Sequence, residues 1–216
     1  MKTTRRTLLT HCTALAAAGL APRPCPAQAQ PAGPVVLVLG DSLSAEYGLA
    51  RGQGWVALLS QRLAAEPRHK GLSVVNASIS GDTTAGGRSR LPALIKRHRP
   101  AVVVIELGGN DALRGLPLAM TRDNLQAMAR AAKEAGAKVL LLGMQIPPNY
   151  GRRYSDDFAA AFPAVARQEG AALVPFLLQG VGDALFQADR IHPRADAHPT
   201  MLANVWPVLK PLLPVS

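Results

Sequence analysis

Five short apolar runs punctuate the chain, near residues 34–39, 72–76, 101–107, 138–143 and 172–175, each rich in Val or Leu. Runs of this length without polar alternation are the mark of strands buried on both faces of a parallel sheet. Between them lie helical patterns near 54–65, 87–97, 121–135 and 154–168, with a last one near 199–213. Gly136 and Gly170 stand where two of these helices should end, because glycine readily takes the left-handed conformation of a helix C-terminus. Pro207 and Pro211 should kink or shorten the last helix. Strand and helix alternate, which predicts an α/β fold with a mostly parallel sheet. No linker divides the pattern, so residues 30–216 are expected to form one domain.

The first 29 residues do not follow this pattern. Lys2, Arg5 and Arg6 precede an apolar stretch that continues through Thr13 to Ala21, and Ala27-Gln28-Ala29 supplies a small-residue cleavage site. This predicts a secretory signal, too short and too interrupted to span a bilayer. Thr4-Arg5-Arg6-Thr7-Leu8-Leu9 also fits a twin-arginine export signal. The expected location is periplasmic or secreted. Neither Cys12 nor Cys25 follows the small-residue box that lipid attachment requires, and both lie in the segment expected to be removed. The mature chain then has no cysteine, which excludes a disulfide, a thiolate nucleophile and a Cys-based zinc site.

Composition refines the picture further. The 216 residues are 48% apolar and 18% charged, enough to bury a substantial core. The formal charge is +10, but four of the 24 basic residues (Lys2, Arg5, Arg6 and Arg23) fall in the signal, leaving +6 for residues 30–216. Arg62, Arg68, Lys70, Arg88, Arg90, Lys96, Arg97 and Arg99 are read as a solvated basic surface. With 4% aromatic residues and no recognition motif, nucleic acid is not an expected partner. Stable membrane insertion is not expected either, and the chain is expected to be a monomer.

The chemistry lies where the first three apolar runs end. The first gives way to Gly40-Asp41-Ser42-Leu43, read as a strand passing into a helix. The second leads to Ala77-Ser78-Ile79-Ser80-Gly81-Asp82-Thr83, and the third to Gly108-Gly109-Asn110-Asp111. Open parallel sheets place their ligand sites just beyond such ends. Three of them at one sheet edge would bring together a serine, a glycine amide and an asparagine amide. That set suits acyl transfer, in which a nucleophile attacks a carbonyl and fixed donors meet the developing oxyanion.

Serine needs a base. His69 and His98 lie in basic, polar stretches and are read as surface residues. His192 has a carboxylate, Asp189, three residues before it, close enough to orient the imidazole. Asp196 and His198 form a rival pair, and the four together offer a metal-ligand alternative. Pro193, Pro199 and the serine motif favour the Ser-Asp-His reading, with no metal and no cofactor. A Gly-Asp-Ser-Leu tetrapeptide alone arises by chance in about one chain per hundred of this length. Its joint occurrence with the other motifs, in order and at strand ends, is far more specific.

These motifs resemble the sequence blocks of the SGNH (GDSL) hydrolase family, over nearly all of residues 30–216. Pro148-Asn149-Tyr150-Gly151-Arg152-Arg153-Tyr154 adds to the match. The resemblance is to the bacterial periplasmic branch that acts on acyl thioesters, lysophospholipids and aryl esters. It implies a flavodoxin-like three-layer α/β/α sandwich with a parallel five-stranded sheet. It further implies Ser42 as nucleophile, His192 as base and Asp189 as its partner, with the Ser42 N–H, the Gly81 N–H and the Asn110 amide as oxyanion donors. One departure is Arg190, where that branch carries glycine.

For the substrate, the apolar loop residues Leu113, Leu116, Ile146 and Pro147 suggest a groove for an acyl or aryl group. The expected partner is therefore a small ester or thioester. A carbohydrate O-deacetylase of the same fold and a periplasmic lipid-binding protein without turnover are the alternatives.

Overall fold

The computed structural model describes residues 33–69, 71–146 and 148–214. The expected signal segment, with Cys12 and Cys25, lies outside the described residues, as does Pro147. Five parallel strands form one sheet in the order β2-β1-β3-β4-β5: β1 (Val35–Gly40), β2 (Ser73–Asn76), β3 (Val102–Glu106), β4 (Lys138–Leu142) and β5 (Ala172–Val174). The helices are α1 (Trp55–Ala65), α2 (Thr84–His98), α3 (Gly109–Leu113), α4 (Leu118–Glu134), α5 (Arg152–Glu169) and α6 (His198–Leu209). Helix α1 packs with α6, while α2 packs with α4 and α4 with α5, so helices cover the sheet in two groups. The three-layer α/β arrangement is the one expected.

Burial follows strand position. Strands β1 and β3 are buried throughout and β4 nearly so, as their unbroken apolar runs require. The edge strands β2 and β5 are only partly buried, so the expectation of strands covered on both faces holds for the three central ones. Trp55, Leu59 and Leu63 of α1 and Leu125, Met128 and Ala132 of α4 are among the side chains that seal the sheet. Burying each large apolar side chain contributes about 1.5–3 kcal/mol.

Local differences from the sequence reading have physical causes. Helix α2 begins three residues before the predicted residue 87, capped by the Thr83 hydroxyl, which accepts from the Gly86 N–H at 3.3 Å. Gly87 serves packing, since a Cβ there would stand 2.2 Å from Leu107 Cδ1. Helix α3, a single turn, carried no periodicity to detect. The last helix ends at Leu209 and passes into a 3-10 turn over Lys210–Leu212, the shortening that Pro207 and Pro211 predict.

Strand order matters for function. In the 2-1-3-4-5 arrangement the chain leaves β1 and β3 in different directions, opening a crevice beyond their C-terminal ends. Gly40 pairs in register with Glu106 there. The residues that follow, Asp41-Ser42 on one strand and Leu107 to Asn110 on the other, are thereby set side by side.

Candidate active site

Ser42 does not open a helix, as the sequence suggested; it lies in a run of turns over residues 42–48 that precedes α1. Asp41 builds that turn. Its side chain accepts the Leu43 N–H at 3.0 Å and its carbonyl accepts the Ala45 N–H at 2.9 Å. Strand β2 continues alongside through Ala77 N–H to Val38 O (2.8 Å) and Ile79 N–H to Gly40 O (3.0 Å), which carries Ser80 and Gly81 to the serine turn. Gly81 has φ +80°, a conformation glycine adopts without strain. Arg114 donates to its carbonyl at 2.9 Å. Arg90, expected on a solvated face, instead braces this loop through Asp82 (2.5 Å) and the Ala77 carbonyl (2.8 Å).

Beyond β3, Gly108 takes φ +120° against Phe158 and Phe162, and α3 starts at once. Asn110 on its first turn donates from Nδ2 to Asp41 Oδ2 at 3.0 Å. The neighbouring Asp111 is fully buried and accepts from the Thr84 N–H (2.9 Å) and hydroxyl (2.5 Å), tying α3 to α2. Among the described residues, the N–H groups of Ser42 and Gly81 have no internal acceptor. Donors left open at a site are available to a ligand.

The segment before α6 supplies the remaining groups. Asp189 Oδ1 accepts the N–H of Ile191 (2.9 Å) and of His192 (3.0 Å), and its Oδ2 lies 2.6 Å from His192 Nδ1. On the far side of the ring, His192 Nε2 lies 2.8 Å from Ser42 Oγ. The three side chains form one continuous hydrogen-bonded line. The backbone and side-chain bonds to His192 pull the Asp189 carboxyl down to about 2. It is therefore an anion throughout the neutral range, suited to stabilise an imidazolium. The His192 side chain is 17% exposed, so substrate can reach it. Tyr47 packs on the imidazole, ring centroids 4.3 Å apart, and the Gln187 side chain ties the Tyr47 carbonyl to that of Pro193. Arg190 holds φ +56°, the left-handed region, which explains why glycine fits this position in the family branch the chain resembles.

Two histidines are placed otherwise than expected. His69 is buried, not on the surface, with Trp206 edge-on at 6.3 Å and Glu66 Oε2 at 3.6 Å. His198 is also buried. Its Nδ1 accepts the Trp55 N–H at 3.0 Å at the start of α1, and it also hydrogen-bonds the Pro193 carbonyl. Burial lowers its pKa and keeps the ring neutral. Asp196 points away, 3.7 Å from Arg194. The rival Asp196–His198 pair therefore does not form, and of the two only His198 fastens α6 to α1. The four ligand-type residues Asp189, His192, Asp196 and His198 do not converge among the described residues.

Of the suggested groove, Leu113 and Leu116 are half-buried near the end of α3, and the Leu116 carbonyl accepts the Tyr154 hydroxyl at 3.0 Å. Ile146 is half-buried against the core. Sequence reasoning passed over Tyr47 and Glu106. Tyr47 carried no signal, whereas Glu106 did, as a lone acid ending the otherwise apolar run Val102–Ile105.

The profile of the GDSL-like Lipase/Acylhydrolase family matches residues 38–200. The chain is 59% identical over 186 residues to the esterase TesA of Pseudomonas aeruginosa, covering 85% of this chain and 92% of that protein. A crystal structure of TesA superposes with a TM-score of 0.80, covering 83% of this chain and 99% of TesA. Thioesterase 1/protease 1/lysophospholipase L1 of Escherichia coli K12 is 42% identical over 180 residues, covering 82% of this chain and 84% of that protein. The psychrotrophic esterase EstA of Pseudoalteromonas, in a structure inhibited by monoethylphosphonate, gives a TM-score of 0.77 at 38% identity, covering 82% and 97%. The sheet order, the serine turn and these similarities lead to one conclusion: the chain belongs to the GDSL-like lipase/acylhydrolase family of ester hydrolases.

Proposed function

We propose that this protein is an exported serine hydrolase that cleaves acyl and aryl esters and thioesters through an acyl-enzyme on Ser42. The observation that carries the reading is the unbroken line from Asp189 through His192 to Ser42, at 2.6 and 2.8 Å. His192 Nε2 takes the Ser42 proton as Oγ bonds to the substrate carbonyl carbon. Asp189 stabilises the imidazolium so formed. The carbonyl oxygen becomes an anion met by the Ser42 N–H, the Gly81 N–H and the Asn110 Nδ2 amide, each donor contributing about 3–4 kcal/mol to the transition state. His192 then gives its proton to the leaving alcohol or thiol. A water activated by the same imidazole releases the acid and restores Ser42.

The names of the related esterase, thioesterase/lysophospholipase and arylesterase proteins support this substrate range. So does the apolar surround. Tyr47, Ile79 and Ile191, all about half exposed, adjoin the serine turn, the Gly81 loop and His192, and Leu113, Leu116 and Ile146 are proposed to extend the groove. Residues 1–29 are proposed to direct the chain to the periplasm or beyond, and no described helix is long and apolar enough to cross a membrane. Hydrolysis of p-nitrophenyl esters from acetate to palmitate tests the reading. The expected optimum lies at medium or longer chains rather than at acetate. A strong preference for acetate, matched by acetate release from acetylated glycans, would instead assign a carbohydrate deacetylase.

A further inference from the structure

Beneath the serine turn lies a carboxyl pair that the steps above do not use. Glu106 ends β3 fully buried, and Asp41, 2% exposed, begins the turn after β1. The register that pairs Gly40 with Glu106 forces the two together. Glu106 Oε2 accepts the Asp41 N–H at 3.2 Å and the Ser44 hydroxyl at 2.8 Å, and Ser44 Oγ in turn accepts the Trp55 indole N–H at 3.2 Å. The other oxygen, Oε1, is buried and has no protein donor. Among the described residues, no basic side chain pairs with Glu106.

A buried carboxylate oxygen with neither donor nor counter-ion is costly. Protonating Glu106 removes the unpaired buried charge, and the Asp41 side chain, to which Glu106 is hydrogen-bonded, is the acceptor for that proton. Burial pushes Asp41 up to about 6, and burial together with the Asp41 charge raises Glu106 well beyond the usual carboxyl range. Of the two, Glu106 is therefore the one that keeps the proton.

The consequence falls on Asn110. An ionised carboxylate accepts only, so Asp41 Oδ2 can face the amide NH2 of Asn110 and not its oxygen. One amide hydrogen is then committed to Asp41 and the other is left for the substrate oxyanion. A protonated Asp41 could instead donate to the Asn110 oxygen. The amide could then turn over and lose its fixed aim. We propose that Glu106 is a positioning residue for the oxyanion hole: by holding the shared proton it keeps Asp41 an acceptor, which fixes the Asn110 NH2 toward Ser42. The inference rests on the oxyanion-hole reading of Asn110 given above.

The test is a double-mutant cycle on p-nitrophenyl butyrate with wild type, Glu106→Ala, Asn110→Ala and the double variant, together with Glu106→Gln. Asn110→Ala is expected to lower kcat by about 10²–10³-fold. Glu106→Ala is expected to lower kcat by about tenfold with KM little changed. In the Asn110→Ala background the same change should cost less than about twofold, since the amide it positions is gone. Glu106→Gln, neutral and able to donate to Asp41, should keep kcat within about threefold of wild type. Equal losses from Glu106→Ala in both backgrounds would overturn the inference, because a merely structural role is additive. So would a Glu106→Gln variant that loses tenfold or more, and that arm decides the matter even if the alanine variant does not fold. An Asn110→Ala protein as active as wild type would overturn the oxyanion-hole reading itself.

Discussion

Ser42→Ala is expected to lower kcat on p-nitrophenyl esters by about 10⁴–10⁶-fold while leaving the fold intact. The size of the effect follows from what the hydroxyl does. In the proposed mechanism it forms and breaks the covalent bond to the acyl group, and its Oγ lies 2.8 Å from His192 Nε2. The substitution costs little structurally, because Ser42 lies in a partly exposed turn whose backbone is held by Asp41 rather than by the serine side chain. Stability should change by no more than about 0.5 kcal/mol. Residual turnover above the water rate would come from the oxyanion donors and substrate binding. A thermal melt beside the rate measurement separates lost chemistry from lost fold.

His192→Ala is expected to be nearly as damaging, with kcat down by about 10⁴-fold or more, and the contrast with His198→Ala is the informative part. His192 joins Asp189 to Ser42, so its loss would remove the proposed base and leave Asp189 without its imidazole partner. His198 touches no reacting atom. Its removal leaves the buried Trp55 N–H without an acceptor, which costs about 1–3 kcal/mol. In a chain of this size that lowers the melting temperature by roughly 3–10 °C. Most of the turnover should remain, because His192 is held independently by Asp189 and by the Gln187 N–H that its carbonyl accepts at 2.8 Å. Loss of activity in His198→Ala with full activity in His192→Ala would reassign the base.

The parts of this molecule that could be read from sequence are those set by local pattern. The apolar runs of β1, β3 and β4 announce central strands because they are covered on both faces, and the polar motifs at their ends announce a ligand edge. The edge strands β2 and β5 were legible too, within a residue at either end, but not their partial exposure, which depends on the neighbour each lacks. What failed depended on tertiary neighbours. His69 stands in a basic stretch, yet Trp206 from the last helix covers it. His198 and Asp196 lie close in sequence like an acid–base pair, but the fold sends His198 inward to Trp55 and Asp196 outward. Glu106 stood out as an acid in an apolar strand, but its meaning required the parallel register that places it beneath Asp41.

The proposed Ser42 mechanism is tested most directly by finding where the acyl group goes. Rapid mixing with a p-nitrophenyl ester, quenching in acid and peptide mass analysis would locate any acyl-enzyme. A burst of up to one p-nitrophenol per enzyme and an acyl mass on the peptide containing Ser42 are expected, both absent in Ser42→Ala. Turnover with the acyl group on another residue, or undiminished turnover in Ser42→Ala, would contradict that mechanism.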